Sequence, residues 1–115
     1  MPSYSLNSDH NMDNARILNM LGIACKANAI ISGEESVVCG LQNKKVKLVF
    51  VANDASSATI AKFSKKCFYY NVTVDNTFSS DELSKAIGKE RKIVGVTDNG
   101  FCNAIKKIME ESKWK

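Results

Sequence analysis

The segment Val46-Lys47-Leu48-Val49-Phe50-Val51-Ala52 places six apolar residues in seven positions, too dense for the alternation of a half-exposed strand. A short Val-rich run bounded by polar residues reads as a strand buried on both faces. Such a strand needs helices above and below it. The Asn53-Asp54-Ala55-Ser56 stretch that follows reads as a turn and a helix start. Ligand sites of open α/β sheets gather at the carboxyl ends of strands, so this turn marks the region where function is expected.

Helical and strand periodicities alternate along the rest of the chain. From Asp13 to about Asn28, Ile17, Leu21, Ala24 and Cys25 fall on one helical face. Ala29–Ile31 reads as a short strand. Ser32-Gly33-Glu34-Glu35 has the form of a capping box, a hydroxyl residue three positions before a Glu. It opens a helix to about Gln42 that buries Val37, Val38 and Leu41. After the central strand comes a helix over Ser57–Tyr69 with Ile60, Phe63 and Cys67 inward, then a strand at Val72–Val74. Ser79-Ser80-Asp81-Glu82 is a second capping box; its helix buries Leu83, Ala86 and Ile87 and stops at Gly88. Ile93–Thr97 reads as a second buried strand. A last helix from about Asp98 carries Phe101, Ala104, Ile105, Ile108 and Met109 at helical spacing. The alternation predicts an α/β fold, a three-layer α-β-α sandwich on a four-stranded mixed sheet, with the later strands largely parallel through right-handed crossovers. One core is expected to hold Val49, Phe50, Val51, Ile93, Val94, Phe101 and Ile105. Residues 13–111 form a single domain in this reading, residues 1–12 a disordered leader and residues 112–115 a loose tail.

Composition narrows the function. No apolar run approaches the ~20 residues of a membrane span, and the polar start lacks a signal segment, so a cytoplasmic protein with no membrane partner is expected; the sequence leaves the oligomeric state open, with a monomer favoured. The formal net charge is +4, but its distribution matters more. Lys44, Lys45 and Lys47 cluster before the central strand; Lys62, Lys65 and Lys66 share one stretch; Lys85, Lys89, Arg91 and Lys92 cluster late. Three basic patches on a small domain raise the expectation of a polyanionic partner.

Catalytic arrangements are scarce. The one histidine, His10, lies in the leader, which leaves no Ser-His-Asp or Cys-His arrangement. No Gly-rich phosphate loop follows a strand. Cys25, Cys39, Cys67 and Cys102 form no Cys-x-x-Cys pair and read as separate, buried free thiols beside apolar neighbours. Neither a metal nor a cofactor is expected, and no enzyme activity. Asp54 and Asp98 both follow strands and read as helix caps or first-turn acids rather than a catalytic pair. Two features have binding character. The helix opening at Gly33 offers free N–H groups at its start, and the loop Gly88-Lys89-Glu90-Arg91-Lys92 offers cations that reach phosphates or stack on bases.

Gly22…Cys25-Lys26-Ala27, Ser32-Gly33-Glu34-Glu35, Lys47-Leu48-Val49, Asn53-Asp54-Ala55-Ser56, Cys67…Tyr69-Tyr70-Asn71-Val72, Ala86-Ile87-Gly88-Lys89 and Val96-Thr97-Asp98-Asn99-Gly100-Phe101 together resemble the ribosomal protein L7Ae family, in its bacterial YlxQ-like branch. Each motif is weak alone; their order and spacing over about residues 14–110 are specific. The resemblance implies an α-β-α sandwich that binds structured RNA, at kink-turns or in ribosomal RNA, as part of or beside the ribosome. In the family the start of the second helix reads tandem sheared G·A pairs with a Gly-x-Asn-Glu-x-x-Lys pattern. Laid onto this chain, the glycine is Gly33, Glu34 follows it, the Asn-Glu positions are Glu35 and Ser36, and the lysine position is Cys39. Only the glycine is retained. The family's second contact region maps onto Lys89, Arg91 and Lys92, and a third onto Ser56 and Ile60. With Glu35 and Cys39 in place of Asn and Lys, the cationic contacts are expected to move from the helix to the loop. The rival expectation is a protein–protein interaction module on the same fold, for which an exposed apolar helix face is the signature.

Overall fold

The computed structural model describes residues 2–113, with side chains described for 13–111. In chain order the elements are α1 (Pro2–Lys26), β1 (Ile30–Ser32), α2 (Glu34–Gln42), β2 (Leu48–Val51), α3 (Ser57–Tyr70), β3 (Thr73–Asp75), α4 (Ser80–Ile87), β4 (Ile93–Val96) and α5 (Asn99–Lys113). Every element that the periodicity predicts is present, with ends displaced by a residue or two. α1 is the exception, because its backbone is helical from Pro2 rather than from Asp13. The side chains of the expected leader, and residues 114 and 115 of the expected tail, lie outside the described residues.

The sheet order is β1-β4-β2-β3. The two inner strands, β2 and β4, are buried at all four positions each, which accounts for the dense apolar runs that encode them. The outer strands are three residues long and only partly buried. α1 packs against α4 and α5 in one layer, and α2 packs against α3 in the other. The core between them holds Phe50, Phe63, Phe78, Leu21, Leu41, Leu48, Leu83, Ile93 and Ile105, each essentially without solvent exposure. The second layer sits close to the sheet. A Cβ on Gly40 of α2 would come 2.5 Å from a methyl of Val46 and 2.7 Å from one of Ile31, so only glycine allows this approach.

Three expectations are corrected. The later strands are not largely parallel: β2 and β3 are parallel, but β4 runs antiparallel to both β1 and β2. The reason is that α4 stays at one end of the sheet. Its first residue bonds Asp54, just past β2, and its middle bonds Arg91, just before β4. β4 therefore enters from the end at which β2 and β3 leave. Phe101 is half-buried against the core rather than inside it. Phe78, in the loop before α4, takes a central place instead, with its ring 6.0 Å from that of Phe50. Cys39 is exposed, while Cys67 and Cys102 are buried and Cys25 is half-buried. Burial pushes the Cys67 thiol up to about 11, which keeps it protonated and unreactive at neutral pH.

Phe50 stands on the central strand at 1% exposure and touches the Phe78 ring. Replacing it by alanine removes buried apolar area and leaves a cavity, so Phe50→Ala is expected to lower stability by about 3–5 kcal/mol. Urea unfolding checks this: the midpoint falls with little change in slope.

Candidate functional site

Strand register brings four chain segments to one end of the sheet. Ser32 pairs with Val94, Val51 with Ile93 and Phe50 with Asp75. The ends of β1, β2 and β3 and the start of β4 are therefore neighbours. The first three strands each lead into a helix, so the N-termini of α2, α3 and α4 open at this end, beside the loop that carries Lys89, Arg91 and Lys92. Helix N-termini present unpaired N–H groups and positive dipole character.

The three starts are built differently. α4 has the expected capping box: Ser79 Oγ accepts from the Glu82 N–H at 3.2 Å, and the Glu82 carboxylate accepts from the Ser79 N–H at 2.9 Å. α3 is capped by Ser56, whose Oγ accepts from the Thr59 N–H at 3.1 Å and donates to Thr59 Oγ1 at 2.9 Å. The hydroxyl of Ser56 is thus engaged inside its own helix. At α2 the predicted capping box does not form. Gly33 is the N-cap, with φ 95° and ψ 150° and no side-chain cap. A backbone in this region is essentially restricted to glycine. Ser32 therefore remains in β1, and its hydroxyl is free to serve another partner.

That partner is Arg91. Its Nε donates to Ser32 Oγ at 3.2 Å, and its Nη1 donates to the Glu90 carbonyl at 2.9 Å. Its backbone is clamped as well: the Arg91 N–H donates to Ser84 Oγ at 2.9 Å, and Ser84 Oγ donates back to the Arg91 carbonyl at 3.1 Å. The guanidinium so lies across the start of α2, close enough that a Cβ on Gly33 would be 3.9 Å from Nε. Among the described residues Lys89, Arg91 and Lys92 form no ion pair, and Lys89 and Lys92 are exposed. The basic loop and the helix start form one surface.

Glu35, Ser36 and Cys39 line a shallow groove along α2 together with Ile31, Gly40, Asn43 and Lys45. Glu34, Glu35, Ser36 and Cys39 are all exposed. Asn43 Nδ2 donates to Cys39 Sγ at 3.3 Å. Asn43 and Lys45 are site candidates that the sequence did not single out. The signal was present in the Lys44-Lys45-Lys47 cluster, but only the fold shows that Lys45 turns into the groove that holds Cys39. Ile60 is half-buried one turn into α3, packed against the core.

Asp54 and Asp98 serve as helix-end acids, as expected, in two ways. Asp98 accepts from the Phe101 N–H of the following helix at 2.9 Å. Asp54 reaches across the sheet end instead, accepting from the Ser80 N–H at 2.9 Å and from Ser80 Oγ at 2.8 Å at the start of α4. These two bonds hold its carboxyl below the usual range, the backbone N–H contributing most and the Lys92 cation least. The Asn53 N–H and side-chain amide donate to the carbonyls of Phe78 and Thr77. The turn after β2 and the loop before α4 are thereby fastened together.

With this geometry in place, the comparisons with known proteins are specific. The sequence profile described as "Ribosomal protein L7Ae/L30e/S12e/Gadd45 family" matches residues 15–106. An RNA-binding protein YlxQ of Enterococcus faecium is 42% identical over 95 residues, spanning 83% of this chain and 92% of that one. An RNA-binding protein YlxQ of Bacillus subtilis is 40% identical over 92 residues, spanning 79% and 92%. Among solved structures, a protein of unknown function from Bacillus halodurans superposes with TM-score 0.80 at 37% identity, covering 84% of this chain and 98% of that one. A 15.5 kD RNA binding protein from Giardia lamblia superposes with TM-score 0.75, covering 89% and 88%; at 18% identity it shows the shared fold alone.

The lowered Asp54 carboxyl gives a pH signature. A group whose folded-state value is depressed contributes stability above the ordinary carboxylate range and loses it as pH falls through the folded value. Asp54→Asn is therefore expected to be less stable than the parent at neutral pH. The difference in urea midpoint closes as the solution is acidified through the carboxyl's lowered value.

Proposed function

The chain belongs to the ribosomal protein L7Ae/L30e/S12e/Gadd45 family, and we propose that it is a non-catalytic, cytoplasmic RNA-binding protein that recognises structured RNA of the kink-turn or ribosomal kind. The observation that carries this reading is the Arg91 guanidinium lying on Ser32 at the start of α2. It joins the loop Lys89–Lys92 to the helix start at Gly33 and makes one cationic edge at which three helix N-termini also open. Phosphates are drawn by the lysines and by the free N–H groups. Arg91 has a planar group that grips a phosphate or stacks on a base, which Lys does not offer.

The proposed roles follow from what each group has to give. Gly33 lets the RNA backbone or a base edge approach the start of α2. Glu34, Glu35 and Ser36 offer acceptors and a hydroxyl to base edges, of the kind that read amino groups. Cys39 contributes a small neutral surface, and Lys45 supplies a cation to the same groove. Ile60 and the capped turn at Ser56 form the apolar margin. Glu34 and Glu35 weaken phosphate binding beside them, so the loop carries most of the electrostatic attraction. Among the described residues no helix is long and apolar enough to cross a membrane, and none of the described His, Cys, Asp and Glu residues group in a way that could hold a metal ion.

One observation belongs to the protein-interaction reading. Phe68 and Tyr69 on α3 are 87% and 80% exposed. They stand among lysines rather than in an apolar face.

Replacing Lys89, Arg91 and Lys92 together by alanine is expected to weaken kink-turn binding about tenfold or more at low salt. It should also lower the slope of log K against log salt by roughly 2–3, since fewer counterions are released. Titrations at several salt concentrations read both quantities, and an unchanged affinity and slope would reject the loop as the main contact. Cys39→Lys, which adds a cation to the groove, is expected to tighten the same RNA several-fold.

A further inference from the structure

α3 carries a second surface whose chemistry the site above does not use. Its sequence, Ser57–Tyr70, contains no Asp or Glu and three lysines, Lys62, Lys65 and Lys66. Phe68 and Tyr69 near its end are 87% and 80% exposed, values far outside what a folding role requires of an aromatic ring. Lys65 lies three and four positions before them, and Lys66 three before Tyr69, so rings and cations share one helical face. Lys62 and Lys65 are exposed, and Lys66 is partly so. The Tyr69 ring is braced edge-on by Tyr70, with centroids 4.9 Å apart and planes at 89°. At 80% exposure most of its surface remains open to solvent. The helix stops just beyond, at Asn71 in the left-handed conformation. Twelve to thirteen residues of helix put this patch roughly 18–20 Å from Ser56, toward the end of the sheet opposite the Arg91 site.

We infer that the Phe68–Tyr69 face of α3 is a platform for unpaired nucleotides, on which bases stack while Lys62, Lys65 and Lys66 hold the phosphates. This rests on the RNA-binding reading above and deepens it by giving the RNA a second, single-stranded contact. Two features favour RNA over a protein partner. Charged residues, lysine among them, are depleted in the cores of protein interfaces, whereas here three lysines lie within two turns of the rings. Exposed aromatic faces beside a run of cations, with no acid between them, are the combination that single-stranded nucleic acid uses without sequence preference. An A-form duplex has its bases paired and stacked and would gain nothing from the rings, so the strand bound here is unpaired.

The test compares two RNA probes by fluorescence anisotropy, a single-stranded oligouridine and a blunt-ended kink-turn duplex, on the parent and on a Phe68→Ala, Tyr69→Ala double variant. The rings are exposed, so the variant is expected to keep its urea midpoint. The expected result is an oligouridine affinity lowered about tenfold or more, with the kink-turn affinity changed less than about twofold. A Lys62→Gln, Lys65→Gln, Lys66→Gln variant is expected to flatten the salt dependence of oligouridine binding alone. Failure of the parent to bind oligouridine, or equal binding by the double variant, overturns the inference while leaving the kink-turn reading standing. Retained, ring-dependent oligouridine binding with no kink-turn binding supports the platform and removes the Arg91 site instead. Self-association of the parent in sedimentation that the double variant abolishes, with oligouridine affinity unchanged, makes the patch a protein contact and likewise overturns it.

Discussion

Two adjacent strands with no solvent face organise this protein. β2 and β4 are buried at every position, so neither can exist without helices on both sides of the sheet. Burial at this density is the main stabilising term available to a domain of this size. It also determines how the helices approach. α2 comes so near that Gly40 has no room for a side chain against Val46 and Ile31. The short outer strands β1 and β3 act as margins of this inner pair and carry little of the core themselves.

Placing β4 between β1 and β2 in the antiparallel sense has a functional consequence. It makes the entrance of β4 the neighbour of two strand exits, those of β1 and β2, with the β3 exit one strand further on. The loop before β4 is thereby confined to the place where three helices begin. That loop carries Lys89, Arg91 and Lys92, so positive side chains and the positive ends of helix dipoles share one edge. Repulsion among them is moderated by acids at the same edge. Asp54 takes the first N–H of α4, Glu82 completes the box on the same helix, and Glu34 and Glu35 occupy the first turn of α2. The result is a surface on which cations and acceptors are sorted by position: cations on the loop and acceptors on the α2 start.

Arg91 shows how such sorting is held in place. Its backbone is clamped by Ser84 on both sides, and its side chain is oriented by Ser32 and the Glu90 carbonyl. A guanidinium ordered before the ligand arrives loses less freedom on binding than a lysine on a free stem. The lysines of the loop lack these restraints and suit a diffuse role in attraction. The α3 face is of a third kind, in which exposed rings supply contact area and the neighbouring lysines supply charge.

Much of this was legible in the chain. The dense run Val46–Ala52 announced a strand buried on both faces, and the spacing of Phe63 and Cys67, or of Ile105 and Ile108, announced which helix faces turn inward, because burial imposes its period on the sequence directly. Ser79 and Gly88 marked the ends of α4 for an equally local reason: a cap is made within one turn of chain. What the chain alone left open were outcomes of contact between distant segments. Ser32 has the spacing of a capping box, yet Gly33 takes the cap, and the serine hydroxyl goes to Arg91, 59 positions away. Asp54 caps a helix that begins 26 residues later. Phe78 looks like a loop residue until Phe50 is beside it. The direction of β4 depends on a helix too tightly tied to the sheet end to carry the chain back across it. Local spacing therefore determined the elements and most of the core, while only tertiary packing decided the place of Phe78 and which hydroxyl, carboxylate and guanidinium meet, since those pairings join segments whose separation in sequence carries no period.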